Sequence, residues 1–314
     1  MTLAAVVIGR NEGARLVACL EALQGEVDHI VYVDSGSSDG SVAEAEARGA
    51  AVIALDMTQP FTAARARNAG LAALGEDITF VQFLDGDCAI RAGWVETARA
   101  HLEAHPKVAV VCGRRRERAP EASVYNAMID AEWDTPVGEA KACGGDALMR
   151  VAPLRAVGGY RDTLIAGEEP ELCVRLRQAG WQIWRLDAEM TWHDADIHRF
   201  GQWWQRSKRA GHAFAEGAAM HGAAPERHWV QETRRALLWG VVLPVMIVLA
   251  ALLTGPAALL LVAIFPAQML RLGMRGGWTF GVFSVLGKFA EAAGALQFYW
   301  RRWRRRDAQL IEYK

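Results

Sequence analysis

Paired cysteines are missing from this sequence. Its five cysteines lie far apart and none forms a Cys-x-x-Cys pair; they are Cys19, Cys88, Cys112, Cys143 and Cys173. An odd number of cysteines without a regular spacing argues against a disulfide framework and against a structural zinc site. We therefore expect a protein of a reducing compartment.

The sequence also lacks the glycine-rich loops of two large enzyme classes. It contains neither Gly-x-x-x-x-Gly-Lys-Ser/Thr, which cradles phosphates in P-loop proteins, nor the dinucleotide motif Gly-x-Gly-x-x-Gly. A kinase or a dehydrogenase is therefore disfavoured. Because the formal net charge is only -1, no overall basic field attracts nucleic acid, and we expect no nucleic-acid partner.

No basic leader precedes the apolar run at residues 3–8, which soon meets polar Gly9-Arg10-Asn11-Glu12, so we expect a first strand rather than a signal peptide. Apolar spacing predicts further strands at residues 30–33, 51–55, 80–84, 108–111 and 182–186, with helices around 14–23, 41–48, 62–74 and 94–104. This alternation predicts an α/β fold, with a mainly parallel sheet and helices on both faces. A chain of 314 residues is long enough for one large domain and an appendage.

Two aspartates separated by one glycine, Asp85-Gly86-Asp87, directly follow the predicted strand at residues 80–84. Hard divalent cations prefer carboxylate ligands, and open α/β sheets bind ligands at the carboxyl ends of their strands. The motif therefore indicates a metal site. A solvated Asp-Gly turn would have the same sequence, and the surrounding motifs argue against that alternative.

Two other loops that follow predicted strands carry polar side chains. They are Gly9-Arg10-Asn11-Glu12-Gly13 and the segment from Asp34 to Ser41. Helix capping accounts for the polar side chains late in the second loop, but not for Asp34 at the strand tip. On the helix predicted next, Arg65 and Arg67 are two residues apart and point in different directions, so we expect one to face the pocket and the other the solvent.

Five motifs, in this order, resemble those of family 2 glycosyltransferases. They are Ile8-Gly9-Arg10-Asn11-Glu12, Val33-Asp34-Ser35-Gly36-Ser37-Ser38-Asp39, Ala66-Arg67-Asn68-x-Gly70, Asp85-Gly86-Asp87 and Gly167-Glu168-Glu169-x-Glu171-Leu172-x-x-Arg175-Leu176. The resemblance spans residues 3–210. It implies a Rossmann-like A-type glycosyltransferase fold, a nucleotide-diphosphate sugar as donor, inversion at the transferred sugar, and Mg²⁺ or Mn²⁺ as cofactor.

The resemblance also assigns a metal site. It implies that Asp87 binds the metal that bridges the diphosphate, and that Asp85 faces the ribose or the metal. His193 resembles a position that supplies a further metal ligand in some relatives; a packed structural histidine beside Trp192 is the alternative. A divalent ion at such a site neutralises the charge that builds up on the departing diphosphate.

A donor site follows in the same way. Asp34 matches the acidic position that contacts the nucleotide base, and Arg67 matches a position near the phosphates. Arg206 and Arg209, three residues apart on one helical face, are expected to hold the diphosphate. The expected donor-binding residues are Arg10, Asn11, Glu12, Asp34, Arg67, Asp85, Arg206 and Arg209.

Glu169 corresponds to the family's catalytic base, which is the second acid of a Glu-Asp pair at the start of a helix. Here the pair is Glu168-Glu169, so Glu168 is the alternative base. A base must reach the acceptor hydroxyl and be ionised when it does so. Acids at the start of a helix also complement its dipole, and this explanation suits Glu171 better than the adjacent pair beside Gly167.

The acceptor side has weaker signals. The segment Gly144-Gly145-Asp146 resembles an acceptor loop of the family, in which Gly145 allows close approach of the backbone and Asp146 binds the sugar or the acceptor. The basic run from Arg114 to Arg118 is interpreted as a solvated charge run, with an acceptor or phosphate contact as the alternative. No Trp follows Arg206, which departs from the Gln-x-x-Arg-Trp element of processive relatives and disfavours processive synthesis.

From residue 236 to 270 the sequence has no charged side chain and is interrupted only at Thr254-Gly255-Pro256. This pattern predicts a membrane hairpin; a helical hairpin buried in a soluble domain is the alternative. Arginines on both sides of the hairpin place both its ends in the cytoplasm. Residues 278–300 are expected to form an interfacial amphipathic helix. The arginine cluster that follows is expected to lie among anionic head groups; it consists of Arg301, Arg302, Arg304, Arg305 and Arg306.

These expectations combine into one hypothesis. Residues 1–230 form a glycosyltransferase domain and residues 231–314 a membrane-associated helical region, with the active site on the cytoplasmic side and a lipid-linked or glycan acceptor. A polyprenyl phosphate acceptor would already be ionised, whereas a sugar hydroxyl would need Glu169 or Glu168 as base. The alternatives are a membrane-anchored nucleotide-sugar binding or scaffold subunit, and a sugar-nucleotide nucleotidyltransferase, which would need a glycine-rich basic loop near the N-terminus.

Overall fold

The structure is a computed structural model, and it describes residues 1–304. The chain divides into two compact units, Met1–Asp196 and Ile197–Lys314. The division at residue 230 that the sequence indicates separates functions rather than compact units, and it stays a prediction. Arg305 and Arg306 of the predicted arginine cluster lie outside the described residues.

Within residues 1–304, nine strands form one mixed sheet in the first unit. The strands are β1 (Thr2–Gly9), β2 (His29–Asp34), β3 (Ala51–Ala54), β4 (Ile78–Asp85), β5 (Cys88–Ile90), β6 (Val108–Glu117), β7 (Gly138–Ala140), β8 (Ala147–Arg150) and β9 (Gln182–His193). The helices of this unit are α1 (Ala14–Leu23), α2 (Ser41–Ala47), α3 (Ala63–Ala73), α4 (Trp94–Ala104), α5 (Val124–Glu132), α6 (Val151–Ala156) and α7 (Glu168–Gln178).

The strand order is β3-β2-β1-β4-β8-β6-β9-β5, and β7 pairs with β9. The stretch from β3 to β4 is parallel, as predicted. Beyond β4 the sheet becomes mixed, because the short strand β8 enters antiparallel between β4 and β6. The predicted α/β class is confirmed. The sequence prediction did not include β5, β7 and β8, since each has only three or four residues and no clear alternation.

The core of this unit is built around β1. Its residues from Leu3 to Ile8 are all at most 6% exposed, and since successive side chains of a strand point to opposite faces, both faces of the sheet are covered there. Gly70 of α3 lies against the side chains of Val6 and Val33. A larger residue at position 70 would push α3 away from β1 and β2, which carry Val6 and Val33.

The second unit is helical. Its helices are α8 (Phe200–His221), α9 (Val230–Leu237), α10 (Leu243–Thr254), α11 (Ile264–Gly276) and α12 (Trp278–Trp303). A π-helical segment (Leu238–Val242) joins α9 to α10, and a 3-10 segment (Pro256–Ala263) precedes α11. α8 and α12 pack closely, because Gly211 lies against the backbone of Glu291 and Gly294 against that of Lys208.

Two helical stretches of this unit are long and apolar enough to cross a membrane. They are Val230–Thr254 and Pro256–Gly276. Of the 18 most apolar consecutive residues in each stretch, 11% are buried in the first and 0% in the second. The break between them falls where the sequence predicts it, at Gly255 with a φ of 103°. The two apolar stretches of the expected hairpin are therefore present, and their outer surfaces are bare of protein. α12 is buried on one side only, with Val285 and Ala292 packed inside and Trp300 exposed.

Candidate active site

The carboxyl end of β4 brings together the side chains predicted to bind a metal. β4 ends at Asp85, and Asp87 lies just before β5. Because β5 pairs antiparallel with β9, Cys88 lies opposite His193, and the His193 Nε2 atom is 3.5 Å from Asp87 Oδ1. Ligand atoms of Asp87, Cys88 and His193 all lie within 4.8 Å of one another.

A second group of possible ligands adjoins the first. It consists of Asp85, Cys88 and Asp146, again with ligand atoms within 4.8 Å of one another. Asp146 is fully buried; its Oδ2 atom accepts a hydrogen bond from Thr191 Oγ1 (2.7 Å) and forms an ion pair with Arg115 Nε (2.9 Å). Its Oδ1 atom has no hydrogen-bond partner within residues 1–304. Burial raises the pKa of Asp146 despite the opposing Arg115 charge, and Asp85 and Asp87 raise it further.

These donors fit a hard divalent cation. Carboxylate oxygens and one imidazole nitrogen suit Mg²⁺ or Mn²⁺, and the unsatisfied buried oxygen of Asp146 lies beside them. Burial raises the pKa of the Cys88 thiol well above its usual range, and Asp146 and Asp87 act in the same direction. The thiol is therefore protonated in the metal-free site, and the carboxylate oxygens and the imidazole nitrogen are the donors that a hard divalent cation prefers. The ring of His193 also packs edge-on against Trp133, with centroids 4.8 Å apart.

Arg67 organises the other half of the site. It is 2% exposed and holds three carboxylates: Nη2 is 2.7 Å from Asp85 Oδ1, and Nη1 is 3.0 Å from Glu168 Oε1 and 2.6 Å from Glu169 Oε1. A buried cation between three acids fixes their positions. Arg65 instead bonds to backbone carbonyls near residues 56–60 at the surface, so the predicted division between the two arginines is confirmed.

Glu168 and Glu169 open α7, as predicted, and both are buried in the first helical turn. The pKa of Glu169 is raised to about 7, mainly by burial and in part by the charges of Glu168 and Asp85, although the charge of Arg67 opposes the rise. A carboxylate with such a pKa changes its charge near neutral pH, which suits proton transfer. Glu171 has a different setting, since it is 1% exposed and pairs with Arg161 and Arg175.

Gly145 lies directly over this cluster. A Cβ atom at position 145 would come within 2.6 Å of Arg67 Nη2, 3.1 Å of Asp85 Oδ2 and 3.4 Å of Glu169 Oε1. A glycine is therefore needed for the loop to approach the ion pairs this closely. The predicted acceptor role of Gly145 and Asp146 stays a prediction, and the structure places both beside the acids of the site.

The first two loops lie next to each other on the same sheet edge, since Gly9 pairs with Asp34. Asp34 is buried, and its Oδ2 atom accepts hydrogen bonds from the backbone N–H groups of Gly36 and Ser37. Asn11 has a φ of 55°, and its Oδ1 atom accepts a hydrogen bond from the Ser38 N–H group. The two loops thus hold each other in place.

Arg10 and Glu12 complete the first loop. Arg10 is exposed, and Glu12 pairs with Arg15 at 2.8 Å. Arg206 and Arg209 belong to α8 of the second unit. The predicted contacts of Arg10, Arg206 and Arg209 with a donor stay predictions.

The interpretation of residues 114–118 as a solvated charge run is wrong for residues 114–117, whereas Arg118 is exposed. Arg114, Arg115 and Arg116 lie in β6, with side chains 13%, 15% and 34% exposed. Arg114 and Arg116 pair with Asp130 of α5, and Arg115 pairs with Asp146. Carboxylates that are distant in the sequence neutralise these arginines, and local spacing could not show them. Arg115 is thus a site residue that the sequence analysis missed.

Comparison with solved structures defines the class. The mannosyltransferase PcManGT from Pyrobaculum calidifontis, solved in complex with GDP-Man and Mn²⁺, superposes with a TM-score of 0.66 at 21% identity, covering 94% of this chain and 86% of that chain. Glucosyl-3-phosphoglycerate synthase from Mycobacterium tuberculosis, solved with phosphoglyceric acid, superposes with a TM-score of 0.52 at 18% identity, covering 70% of this chain and 80% of that chain. These likenesses show that the fold is that of the A-type glycosyltransferases.

Sequence comparison then gives the family. Residues 5–141 match the model of glycosyl transferase family 2. Pre-mycofactocin glycosyltransferase of Mycobacterium tuberculosis is 31% identical over 142 residues, which are 42% of this chain and 30% of that protein. Succinoglycan biosynthesis protein ExoA of Rhizobium meliloti is 43% identical over 51 residues, 16% of each chain. The match thus spans less than a third of either relative's length. The predicted resemblance to family 2 glycosyltransferases is confirmed for residues 5–141, which the family model matches.

Proposed function

We propose that this protein is an inverting, metal-dependent glycosyltransferase that moves a sugar from a nucleotide-diphosphate sugar to a membrane-associated acceptor. The observation that carries the proposal is the joined site at the carboxyl end of β4. There Asp85 is ion-paired through Arg67 to Glu168 and Glu169, and Asp87 lies 3.5 Å from His193. Metal donors and a candidate base are thus parts of one cluster.

Asp85, Asp87 and His193 would hold the ion. When bound, Mg²⁺ or Mn²⁺ supplies positive charge that stabilises the leaving diphosphate. PcManGT, which shares the fold, was solved with GDP-Man and Mn²⁺, and this supports a nucleotide-diphosphate sugar and a divalent metal here. The loops that carry Arg10, Asn11, Glu12 and Asp34 would bind the nucleotide of the donor. Arg206 and Arg209 would bind its diphosphate.

Glu169 is the proposed base. Its carboxylate takes the proton of an acceptor hydroxyl while the acceptor oxygen bonds to the anomeric carbon and the bond to the diphosphate oxygen breaks. Attack opposite the leaving group inverts the anomeric configuration. Glu169 suits this role better than Glu168 because its pKa is raised to about 7 and its side chain is more exposed, 11% against 6%. Arg67 keeps the carboxylate in place.

The acceptor is proposed to be lipid-linked or a glycan held at the membrane, with Gly145 and Asp146 on the acceptor side. The support is the pair of apolar stretches, Val230–Thr254 and Pro256–Gly276, because few or none of their most apolar residues are buried against protein. Arginines flank the pair on both sides, which favours a cytoplasmic location for both ends and for the catalytic domain.

The test is donor hydrolysis by the full chain in detergent, with a panel of nucleotide sugars and with Mn²⁺, Mg²⁺ or a chelator. We expect metal-dependent release of the nucleoside diphosphate from one donor class. Asp87→Ala should reduce it by about a hundredfold or more, because the ligand set loses a carboxylate. Glu169→Gln should retain donor and metal binding but lose transfer to an added acceptor hydroxyl.

Asp77→Ala is the matched control, since Asp77 is exposed at the opposite end of the same strand. It should hydrolyse donor like the wild type. Equal hydrolysis by wild type and Asp87→Ala would refute the metal site. Donor binding without any turnover, unchanged in Glu169→Gln, would favour the scaffold alternative instead.

A further inference from the structure

A cavity of about 420 Å³ lies between three helical elements of the second unit, away from the residues assigned above. One wall is formed by α9 and the π-helical segment after it, the second by α11 and the third by α12. The residues used in the following argument are Arg235, Trp239, Gln268, Arg271, Arg275 and Lys288.

Each wall presents a single helical face to the cavity. Arg235 and Trp239 are four residues apart, and Gln268, Arg271 and Arg275 follow at intervals of three and four. Residues at these intervals lie on the same side of a helix. The arginines of α11 therefore point to the cavity together rather than being spread around the helix.

The walls are held together by ring contacts and a glycine. Trp239 packs against Phe265, and Phe265 packs against Phe289, with centroids 6.0 and 5.5 Å apart. Gly240 lies against the backbone of Lys288, because a Cβ atom at position 240 would be only 2.5 Å from the Lys288 carbonyl oxygen. The cavity is thus framed by a packed helix trio, and the adjoining π-helical segment is a feature that often accompanies functional sites.

The charges around the cavity are only partly balanced by carboxylates of the described residues 1–304. Four of its lining residues are cations. Lys288 pairs with Glu291 at 2.6 Å, whereas Arg235, Arg271 and Arg275 make no ion pair with a carboxylate within residues 1–304. Three like charges facing one cavity repel each other unless an anion lies between them.

The cavity lies at one end of both apolar stretches. Arg235 is near the start of Val230–Thr254, and Arg271 and Arg275 are near the end of Pro256–Gly276. Because Arg235, Arg271 and Arg275 line one cavity, the start of the first stretch lies near the end of the second, so the two stretches run antiparallel and the cations meet at the same end. In a membrane this end is at the level of the head groups, where arginine and tryptophan side chains are favoured.

We propose that this cavity binds the phosphate-bearing head group of an anionic lipid. Arginine donates paired hydrogen bonds to phosphate oxygens, the Gln268 amide adds a neutral donor, and Trp239 covers the glycerol or isoprenoid carbons next to the phosphate. The acyl chains lie along the exposed apolar sides of the two stretches. The inference rests on the membrane attachment proposed above, and not on the transfer chemistry.

The preference of membrane proteins for arginines at the cytoplasmic ends of their helices would explain why arginines are present here. It would not explain why their side chains face the cavity. Arg234 and Arg235 are adjacent, both exposed, and equivalent for membrane topology. Only Arg235 lines the cavity. These two residues therefore form a matched pair that separates a lipid site from a topological signal.

The experiment uses the full chain in neutral detergent, without donor or metal, and native mass spectrometry with dioctanoyl phosphatidic acid, dioctanoyl phosphatidylcholine or inorganic phosphate. We expect saturable binding of one phosphatidic acid, at least about tenfold tighter than phosphatidylcholine. Arg235→Gln and Arg271→Gln should each weaken phosphatidic acid binding about five- to tenfold, because each variant loses a charge-assisted hydrogen bond to the phosphate. Arg234→Gln should bind like the wild type.

Equal weakening by Arg234→Gln and Arg235→Gln would overturn the inference, as would equal binding of phosphatidylcholine. Inorganic phosphate that binds as tightly and displaces the lipid would show a site for free phosphate and overturn the lipid assignment. Thermal unfolding of each variant identifies one that fails to fold, and Arg275→Gln then replaces it. Donor hydrolysis in the same samples reports on the transferase separately, so a failure of either proposal is recognisable.

Discussion

At the scale of single residues, Arg67 determines the electrostatics of the site. It is one buried cation among three acids, so the cluster keeps an excess of negative charge that favours a divalent ion nearby. Removing Arg67 would leave buried carboxylates without a partner, which is costly. Two neighbouring residues, Gly145 and Glu169, allow this arrangement to be tested without removing the cation itself.

Gly145→Ala should disable the site. The new methyl group would lie 2.6 Å from Arg67 Nη2, which forces the Arg67 side chain or the loop to shift, at a cost of about 1–3 kcal/mol. We expect metal-dependent donor hydrolysis to fall by about tenfold or more, because small displacements of catalytic groups are expensive.

The adjacent Gly144 provides the control for this substitution. A Cβ atom at position 144 meets only Arg115, at 3.6 Å from Nη2, which is ordinary contact. Gly144→Ala should therefore keep most of the hydrolysis. Equal losses in both variants would mean that loop flexibility, and not the approach to Arg67, explains the glycines.

Glu169 predicts a pH dependence of transfer to a hydroxyl acceptor. Burial raises its pKa from 4.5 to about 7, so the base is protonated below about pH 7 and transfer should increase as the pH rises through that value. The same shift affects stability. The folded state favours the protonated form, so this contribution is complete below about pH 4.5 and is lost as the pH rises through about 7.

Glu169→Gln replaces the carboxylate by a neutral group of the same shape and checks both consequences. At pH values above 7 the variant should be inactive towards the hydroxyl acceptor yet unfold at a higher temperature than the wild type, while at low pH the two unfolding temperatures converge. Transfer by the wild type that does not change through pH 7 would argue against Glu169 as the base.

At the scale of elements, the two apolar stretches distinguish a membrane hairpin from a soluble helical pair. A buried pair would cover its large side chains, but Met246 is 57% exposed in the middle of the first stretch and Met274 is 75% exposed near the end of the second. In a membrane the first side chain faces hydrocarbon and the second the head groups.

Met246→Arg should therefore weaken membrane insertion, at a cost of about 2.5–3.5 kcal/mol, whereas Met274→Arg should be tolerated because its charge reaches the head groups. The measurement is the fraction of full-length protein that stays with membranes after alkaline carbonate extraction. Wild-type protein that is fully released by carbonate would contradict the hairpin, and equal behaviour of the two variants would contradict its depth.

At the scale of the whole molecule, a net charge near zero conceals a separation of charge along the chain. Residues 231–304 contain eight Lys and Arg residues but only two acids, Glu232 and Glu291. The remainder of the chain is correspondingly acidic and contains the carboxylate cluster. A basic helical region attracts anionic head groups, while under the proposed function the acidic site would need a cation to accept a diphosphate. The two parts thus have opposite electrostatic requirements.

The sequence by itself determined the α/β class, the motifs at the strand ends and the apolar hairpin, because strand and helix periods and long uncharged runs are local properties of the chain. The parallel strands that carry Asp34 and Asp85 were predictable for this reason, whereas the helix that begins at Glu168 was expected from the family resemblance. The order of the motifs also predicted a phosphate contact for Arg67, a metal ligand in Asp87 and a base in Glu169.

Only the tertiary structure decided which charges meet. Arg67 and Glu169 are about a hundred residues apart in the sequence but 2.6 Å apart in space, and Arg115 reaches Asp146 through an antiparallel strand too short to predict. In the second unit the packing of α9, α11 and α12 collects Arg235, Arg271 and Arg275 around one cavity. Pairing of distant charges depends on strand order and helix packing, which no local pattern specifies.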